Sequence, residues 1–309
     1  MKVLVFGSKG WIGSQFMKLL KNTTHGVIEA DIRADNEVAV AKLLDRVKPT
    51  HVISFIGRTH GPGYSTIDYL ELPGKVKDNV CDNLYAPLTL AIQCSKLNIH
   101  YTYLGTGCIF LANDPIKSSY NEDALPDFFG SGYSIVKGFT DRLMHNFNES
   151  VLNIRIRMPI TADKNPRNFI TKITTYEKVC SIPNSMTVLP ELLPIMLKMM
   201  ESNKVGTINL TNPGVISHNE ILQMYKDIVD PDFTWTNFSV DEQNKILLSK
   251  RSNNQLNTNK LHHWYPEVLP IKESIRQCLE EMAHNQKIIV AEIESPKTSH
   301  VHKGGCTII

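Results

Sequence analysis

The chain has 309 residues, 42% hydrophobic and 21% charged, enough to bury the core of one large α/β domain with a smaller companion. Its 33 basic and 31 acidic residues leave a formal charge of +2, and no clustered basic run supplies a nucleic-acid face. No apolar stretch is long enough to span a bilayer, and the six cysteines show neither zinc-type pairs nor a disulfide framework, so a metal-free cytoplasmic protein with reduced thiols is expected.

The N-terminus enters a strand directly, Lys2–Phe6, and no secretory leader is expected. A helix follows over Ile12–Leu20, with Ile12, Phe16, Leu19 and Leu20 on one face. Val27–Asp31 reads as a strand, Val38–Val47 as a helix and His51–Ile56 as a buried strand. Leu84–Leu97 is a helix with its apolar stripe at Leu84, Leu88, Ala91 and Ile92, and Ile99–Leu104 is the next strand, running into Gly105-Thr106-Gly107. Tyr133–Asn148 is helical and Leu152–Arg157 is a strand. This alternation predicts an α/β fold, a Rossmann-type doubly wound parallel sheet, over residues 1–158. Past Pro159 the segments shorten and Pro/Asn-rich loops appear, marking a smaller C-terminal substrate-binding lobe over 159–286, whose interleaving with the first is left open, with a last helix over Ile271–His284. The tail 287–309 is expected to be disordered. It ends Cys306-Thr307-Ile308-Ile309, formally a prenylation box, but terminal Ile is atypical and no polybasic run precedes it.

Gly7-Ser8-Lys9-Gly10-Trp11-Ile12-Gly13 has GxxGxxG spacing between a strand and a helix. The first glycine permits the tight turn, the second lets backbone amides approach a pyrophosphate, and the third allows close helix–strand packing. The helix N-terminus adds positive potential, so Gly7, Gly10, Trp11, Ile12 and Gly13 are expected to hold a nicotinamide dinucleotide. Asp31 at the end of the second strand would bond a free ribose 2′-hydroxyl, and Arg33 would pair a 2′-phosphate. NADP(H) is the expected cofactor, with NAD(H) left open by Asp31.

Tyr133-Ser134-Ile135-Val136-Lys137 is a YxxxK motif, and i and i+4 share a helical face. An ammonium beside the phenol would lower its pKa from about 10 and suit it to protonating a carbonyl oxygen as hydride arrives. Lys137 would also reach the nicotinamide ribose. Thr106, at a strand end, would bond the same carbonyl. Together these residues predict an NAD(P)H-dependent oxidoreductase.

With these residues the chain resembles the nucleotide-rhamnose synthases, the 3,5-epimerase/4-reductase enzymes of the extended short-chain dehydrogenase group. The matching segments include Gly10–Gly13, Lys48–Val52, Thr106–Phe110, Tyr133–Lys137, Arg157–Ile160, Asn165–Ile173, Ile182–Met186, Thr211–Gly214, Ser217–Ile221 and Arg251–Asn254. The likeness covers roughly residues 1–285, its most specific part being Asn165–Ile173. Phe55–Pro62 looks most like giant-virus members of the family. The resemblance implies a UDP-linked 4-keto-6-deoxy-glucose substrate, inverted at C3 and C5 and reduced at C4 to the L-rhamnose nucleotide. It implies Cys108 and Lys172 as the acid/base pair, Arg251 as a diphosphate contact, and Asn83 as the asparagine on the cofactor side that steadies the active-site strand. Protons next to a ketone are acidic because the carbanion is an enolate, and inversion needs one group on each face. A thiol, with a reference pKa near 8.5, suits removal of the proton; a lysine, at about 10.4, would need desolvation or cationic neighbours to act as a neutral base and serves more easily as the acid. Arg167 and Asn168 are candidate sugar or phosphate contacts, and Thr59 and His60 follow a strand's carboxyl end, where α/β sheets bind ligands.

Two rivals stand beside this reading: a 4-reductase acting alone on a dTDP sugar, and a non-catalytic dinucleotide-binding regulatory subunit of the same fold. Intact Thr106, Tyr133 and Lys137 argue against the second. A homodimer is the default for helices flanking such a sheet.

Overall fold

The structure, a computed structural model, describes residues 1–111 and 119–294, with side chains to residue 287. Five strands follow the predicted rhythm: β1 (Lys2–Phe6), β2 (Gly26–Glu29), β3 (His51–Ser54), β4 (His100–Thr106) and β5 (Val151–Ile156). A sixth, β6 (Gly206–Asn209), pairs with the far edge of β5. The sheet is parallel throughout, in the order β2-β1-β3-β4-β5-β6. The order reverses between β1 and β3, so the crevice at their carboxyl ends is where a ligand would sit. The predicted doubly wound α/β fold is the one observed.

Each face of the sheet is covered because its strands bury side chains on both sides. On one face, helix α1 (Trp11–Lys21) packs Phe16, Met17 and Leu20 against Val3, Val5 and Ile154. The helix Leu189–Glu201 adds Leu192, Leu193, Met196, Met199 and Met200 to the same core. On the other face, Leu4, Phe6, Val52 and Tyr101 meet Val40, Leu43 and Leu44 of Glu37–Val47 and Leu90, Ala91 and Cys94 of Ala86–Lys96. A third core joins Ile160, Ile170, Ile173, Val179, Ile216, Ile221, Ile275 and Leu279 in the C-terminal lobe.

The lobes are interleaved. Residues 159–188 leave the sheet, whereas Leu189–Glu201 and β6 return to it, so a single boundary at 158 does not divide the chain. Without β6, the fully buried strand β5 would present an open edge of unpaired backbone groups. The last helix runs Ile271–Glu294, longer than predicted, so the expectation of disorder fails for 287–294. The remainder of the tail, 295–309 with its Cys306 box, lies outside the described residues.

The helix expected from Leu84 begins earlier, with α-helical Val76–Val80 running through a π-helical stretch, Cys81–Tyr85, into Ala86–Lys96. The polar sequence of 76–83 hid those turns, whose buried positions are the asparagines Asn79 and Asn83 and the acid Asp82.

Candidate active site

Gly7 follows β1 with φ +74°, a conformation open to glycine. A Cβ on Gly13 would lie 2.2 Å from the Gly7 carbonyl oxygen, so the third glycine is demanded by packing of α1 on the turn. Gly10 is the N-cap of α1 and offers no side-chain acceptor, which leaves the first helical amides for a phosphate. The cradle therefore fits a dinucleotide pyrophosphate. Trp11 and Ile12 pack on the first core, and the Trp11 indole N–H points to Asp163 Oδ2 at 3.4 Å, tying the loop to the C-terminal lobe.

The carboxylate that meets this loop is Glu29, not Asp31. Ser8 Oγ donates to Glu29 Oε2 at 2.6 Å, whereas Asp31 lies two residues past the end of β2 and is exposed. Arg33 is exposed beside them, and its guanidinium pairs Asp35 (2.6 Å) and Asp82 (3.0 Å); Asp82 also holds Arg58 at 2.6 Å. Asn83, expected near the cofactor, is fully buried. Its amide oxygen accepts from Arg58 N (3.0 Å), and its Nδ2 donates to Arg58 O (2.9 Å) and Asn79 Oδ1 (2.8 Å). It fastens the loop after β3, and its donors are spent there.

Thr106 closes β4, and its Oγ1 accepts from the Cys108 amide at 3.0 Å. The helix Gly132–Met144 starts opposite, N-capped by Ser131, while Ser134 Oγ donates to the Cys108 carbonyl at 2.7 Å. Glu71 accepts the Gly132 amide at 2.6 Å and pins the helix start, a contact with no signal in the sequence. Tyr133 and Lys137 are both buried one turn apart on this helix. The phenol is not pulled down as the motif alone suggests. Burial and neighbouring Cys108 push its pKa up, against a lowering hydrogen bond with Thr106. The Lys137 ammonium donates instead to the Tyr103 hydroxyl, with Nζ 4.6 Å from that ring's centre. Burial pushes Lys137 down to about 7, with Asp141 and Cys108 opposing.

Cys108 and Tyr133 share the wall of a cavity of about 750 Å³ that runs past Asp68 and Arg251 to Tyr176, Val179, Phe238 and Leu247 in the C-terminal lobe. Arg251 forks onto the buried Asp68 carboxylate, Nη2 to Oδ2 at 2.7 Å. The same carboxylate takes the Ser249 amide at 2.9 Å and hydroxyl at 2.6 Å. No motif in the sequence marks Asp68 as a site residue; it fixes the guanidinium that faces the cavity.

Lys172, on the helix Phe169–Thr175, reaches the Ser65 carbonyl at 3.3 Å. Burial first, then Arg167 and Arg251, lower its pKa, which are the two conditions a lysine needs to exchange a proton near neutrality. Arg167 Nη2 donates to His60 Nε2 at 2.6 Å, so these two expected substrate residues meet across the lobes. Thr59 is exposed beside them, its hydroxyl 3.4 Å from His60 Nδ1. Burial, Arg167, Lys172 and Arg58 all keep the imidazole neutral. Asn168 is a correction: it is fully buried as the N-cap of its helix, accepting from Ile170 N (3.2 Å) and Thr161 N (3.2 Å). Its Nδ2 donates to Thr161 O (2.8 Å) and Asp163 O (2.7 Å), which leaves no group for a sugar. An Asn before a run of apolar helical residues is itself a cap signal.

Among the described residues no cluster of three or more His, Cys, Asp or Glu side chains could hold a metal, and no helix is long and apolar enough to cross a membrane.

Residues 3–163 match the NAD dependent epimerase/dehydratase family. The chain is similar to the L780 UDP-rhamnose synthase of Acanthamoeba polyphaga mimivirus, with 55% identity and a TM-score of 0.90 over 91% of this chain and 99% of that one. It is 43% identical over 277 residues to the bifunctional dTDP-4-dehydrorhamnose 3,5-epimerase/dTDP-4-dehydrorhamnose reductase of Arabidopsis thaliana, covering 88% of this chain and 90% of that protein. The fold also matches a dTDP-4-dehydrorhamnose reductase of Clostridium acetobutylicum, with a TM-score of 0.75 at 21% identity over 91% of this chain and 99% of that one. With its glycine cradle, its Thr106–Tyr133–Lys137 set and these likenesses, the chain belongs to the NAD dependent epimerase/dehydratase family and, within it, to the nucleotide-rhamnose synthases.

Proposed function

We propose that the chain inverts C3 and C5 of UDP-4-keto-6-deoxy-glucose and reduces C4, giving UDP-L-rhamnose, as a cytoplasmic NADP(H)-dependent homodimer. The observation that carries the reading is the shared cavity wall of Cys108 and Tyr133, which brings a carbon-acid base and a carbonyl acid to one substrate. The bound dinucleotide supplies the hydride for C4. Tyr133, kept protonated by burial, gives its proton to the C4 oxygen, and Thr106 orients it. Cys108 removes the proton beside the ketone and Lys172 delivers one to the opposite face. Arg251, held in place by Asp68, is the diphosphate contact, through the charge it presents to the cavity. Exposed Arg33 supports NADP(H), and exposed Tyr85, Ile135 and Phe139 on two neighbouring helices support a second copy as partner.

The test offers UDP- and dTDP-linked 4-keto-6-deoxy-glucose, each with NADPH and NADH, in heavy water. Deuterium at C3 and C5 of a rhamnose product is expected, with UDP and NADPH preferred. Reduction without deuterium at those carbons would leave a reductase alone.

A further inference from the structure

The strand β5 and the residue after it carry two fully buried arginines with opposite surroundings. Arg155 is neutralised: Nη2 meets Asp141 Oδ2 at 2.7 Å, and Nε meets Oδ1 at 2.9 Å. Arg157 is not. Its Nη1 donates to Gly107 O (2.8 Å) and Ser252 Oγ (3.2 Å), and its Nη2 to Asn184 Oδ1 (2.6 Å) and Ser252 O (2.9 Å). Every one of these acceptors is neutral. Among the described residues its Nε meets no acceptor at all. A guanidinium keeps its charge even when buried, and an uncompensated buried charge is costly, so it is retained where it does something.

Its place in the fold says what. The stem of Arg157 packs where a Cβ on Gly107 would fall, 3.1 Å from both Cγ and Cδ, and the fork holds the Gly107 carbonyl. Asn254 Nδ2 grips the same carbonyl and that of Phe110, each at 2.9 Å, while Ser252 Oγ holds Phe110 O at 2.6 Å. The next residue after Gly107 is Cys108. Arg251, the cation facing the cavity, precedes Ser252. One buried cation thus joins the loop bearing the thiol to the strap bearing Arg251.

We infer that Arg157 is a positioning residue for the epimerisation half of the reaction, its uncompensated charge serving as the fixed counter-ion for Cys108 when the sulfur is a thiolate. This rests on the proposed base role of Cys108. In that step the thiolate takes the proton from carbon and becomes a thiol, while the C–H electron pair passes into the enolate of the ketone. A preorganised cation beneath the loop favours the ionised sulfur without moving. Two buried cations face Cys108: it raises the pKa of Arg157 against burial, as it does that of Lys137 on the helix opposite, which serves the reduction. The C4 reduction uses Thr106 and Tyr133 and needs no thiolate.

The experiment measures the rate of Cys108 alkylation by iodoacetamide against pH in the ligand-free full chain, resolved by peptide mass spectrometry. Wild type is compared with Arg157→Lys, Arg157→Met and Asn184→Asp. The last is nearly isosteric and puts a carboxylate on the fork, so it removes the net charge even where Arg157→Met fails to fold. The expected result is that the alkylation profile moves to higher pH by about one unit or more in the Arg157→Met and Asn184→Asp chains and stays near wild type in Arg157→Lys. In parallel, deuterium wash-in at C3 and C5 should fall about tenfold or more at neutral pH and recover as the pH rises, with reduction of pre-epimerised substrate much less affected. Superimposed alkylation profiles, or equal loss of exchange and reduction at every pH, would overturn the inference. Shifted profiles with no wash-in by the wild type would uphold the counter-ion and overturn the epimerase reading instead.

Discussion

The two ends of the parallel sheet both bury titratable side chains, and they use them differently. At the amino end, His51 and His100 lie with ring centres 5.0 Å apart. His51 Nε2 meets Asn203 Oδ1 at 3.1 Å, and His100 Nε2 meets the Lys204 carbonyl at 2.7 Å. Those rings brace the connection into β6. At the carboxyl end, buried Tyr133 and half-buried Cys108 face a cavity. A buried polar group held by its neighbours stabilises a fold; one that is also aimed at open space is available for chemistry. Substitutions of groups that face the cavity and of groups held only by their neighbours should therefore separate into effects on rate and effects on stability.

The largest separation is expected for Tyr133→Phe, which should slow C4 reduction by as much as about 10⁴-fold while leaving the melting temperature near wild type. A parallel fall in melting temperature would show that the phenol supports the fold as well. Arg155→Met makes the opposite demand. It strands the Asp141 carboxylate, whose pKa burial would raise but hydrogen bonds from His145 and Arg155 hold down at about 2. The change should cost about 3–5 kcal/mol in urea unfolding with the pre-steady-state reduction rate retained. Cys108→Ala should lower C3/C5 deuterium wash-in by about 10²-fold and keep reduction of pre-epimerised substrate, measured by product analysis.

Acid tests the amino end. Burial, ahead of other causes, lowers the pKa of both His51 and His100 below the ordinary 6.5. Both rings are neutral when folded at pH 7, so the contribution they protect is intact above about 6.5. As pH falls below that value the unfolded chain takes up protons first, and stability should drop by about 1.4 kcal/mol per pH unit per histidine until the folded rings titrate. Denaturant melts at about pH 7.5 and 5.5, on either side of the ordinary value, check this, and His100→Gln should flatten the difference. The smallest effect is at the cofactor. Arg33→Ala should weaken NADPH about tenfold relative to NADH, read as a ratio of kcat/KM, whereas an unchanged ratio would point to Glu29 as the residue that reads the ribose.

Much of this was legible in the chain because periodicity and glycine spacing are local. Lys2–Phe6, the helix after Gly10 and the Tyr133–Lys137 pair need only neighbours in sequence to be recognised. What stays hidden depends on distant contacts. Glu29 reaches Ser8 only because β2 lies beside β1, and the strand ends two residues before the expected Asp31. Asp68 matters because Ser249 and Arg251, 181 and 183 positions later, fold back onto it. Asn168 looks like a ligand contact by type, yet its amide is consumed by backbone groups that periodicity does not reveal. Arg157 reads as the end of a strand, and nothing local says that, among the described residues, its charge meets neutral acceptors alone.

The return of the chain into β6 has a consequence for synthesis. A ribosome that has released residues 1–158 has made the glycine cradle, Thr106, Tyr133 and Lys137, but not the strand that seals β5 or the methionine-rich helix that covers α1. Until Asn209 emerges, the nascent sheet carries an open edge and a bare apolar face, both invitations to aggregation. Evolution cannot trade the substrate lobe of such a chain as a cassette, because the cut that frees it also removes a strand from the cofactor half.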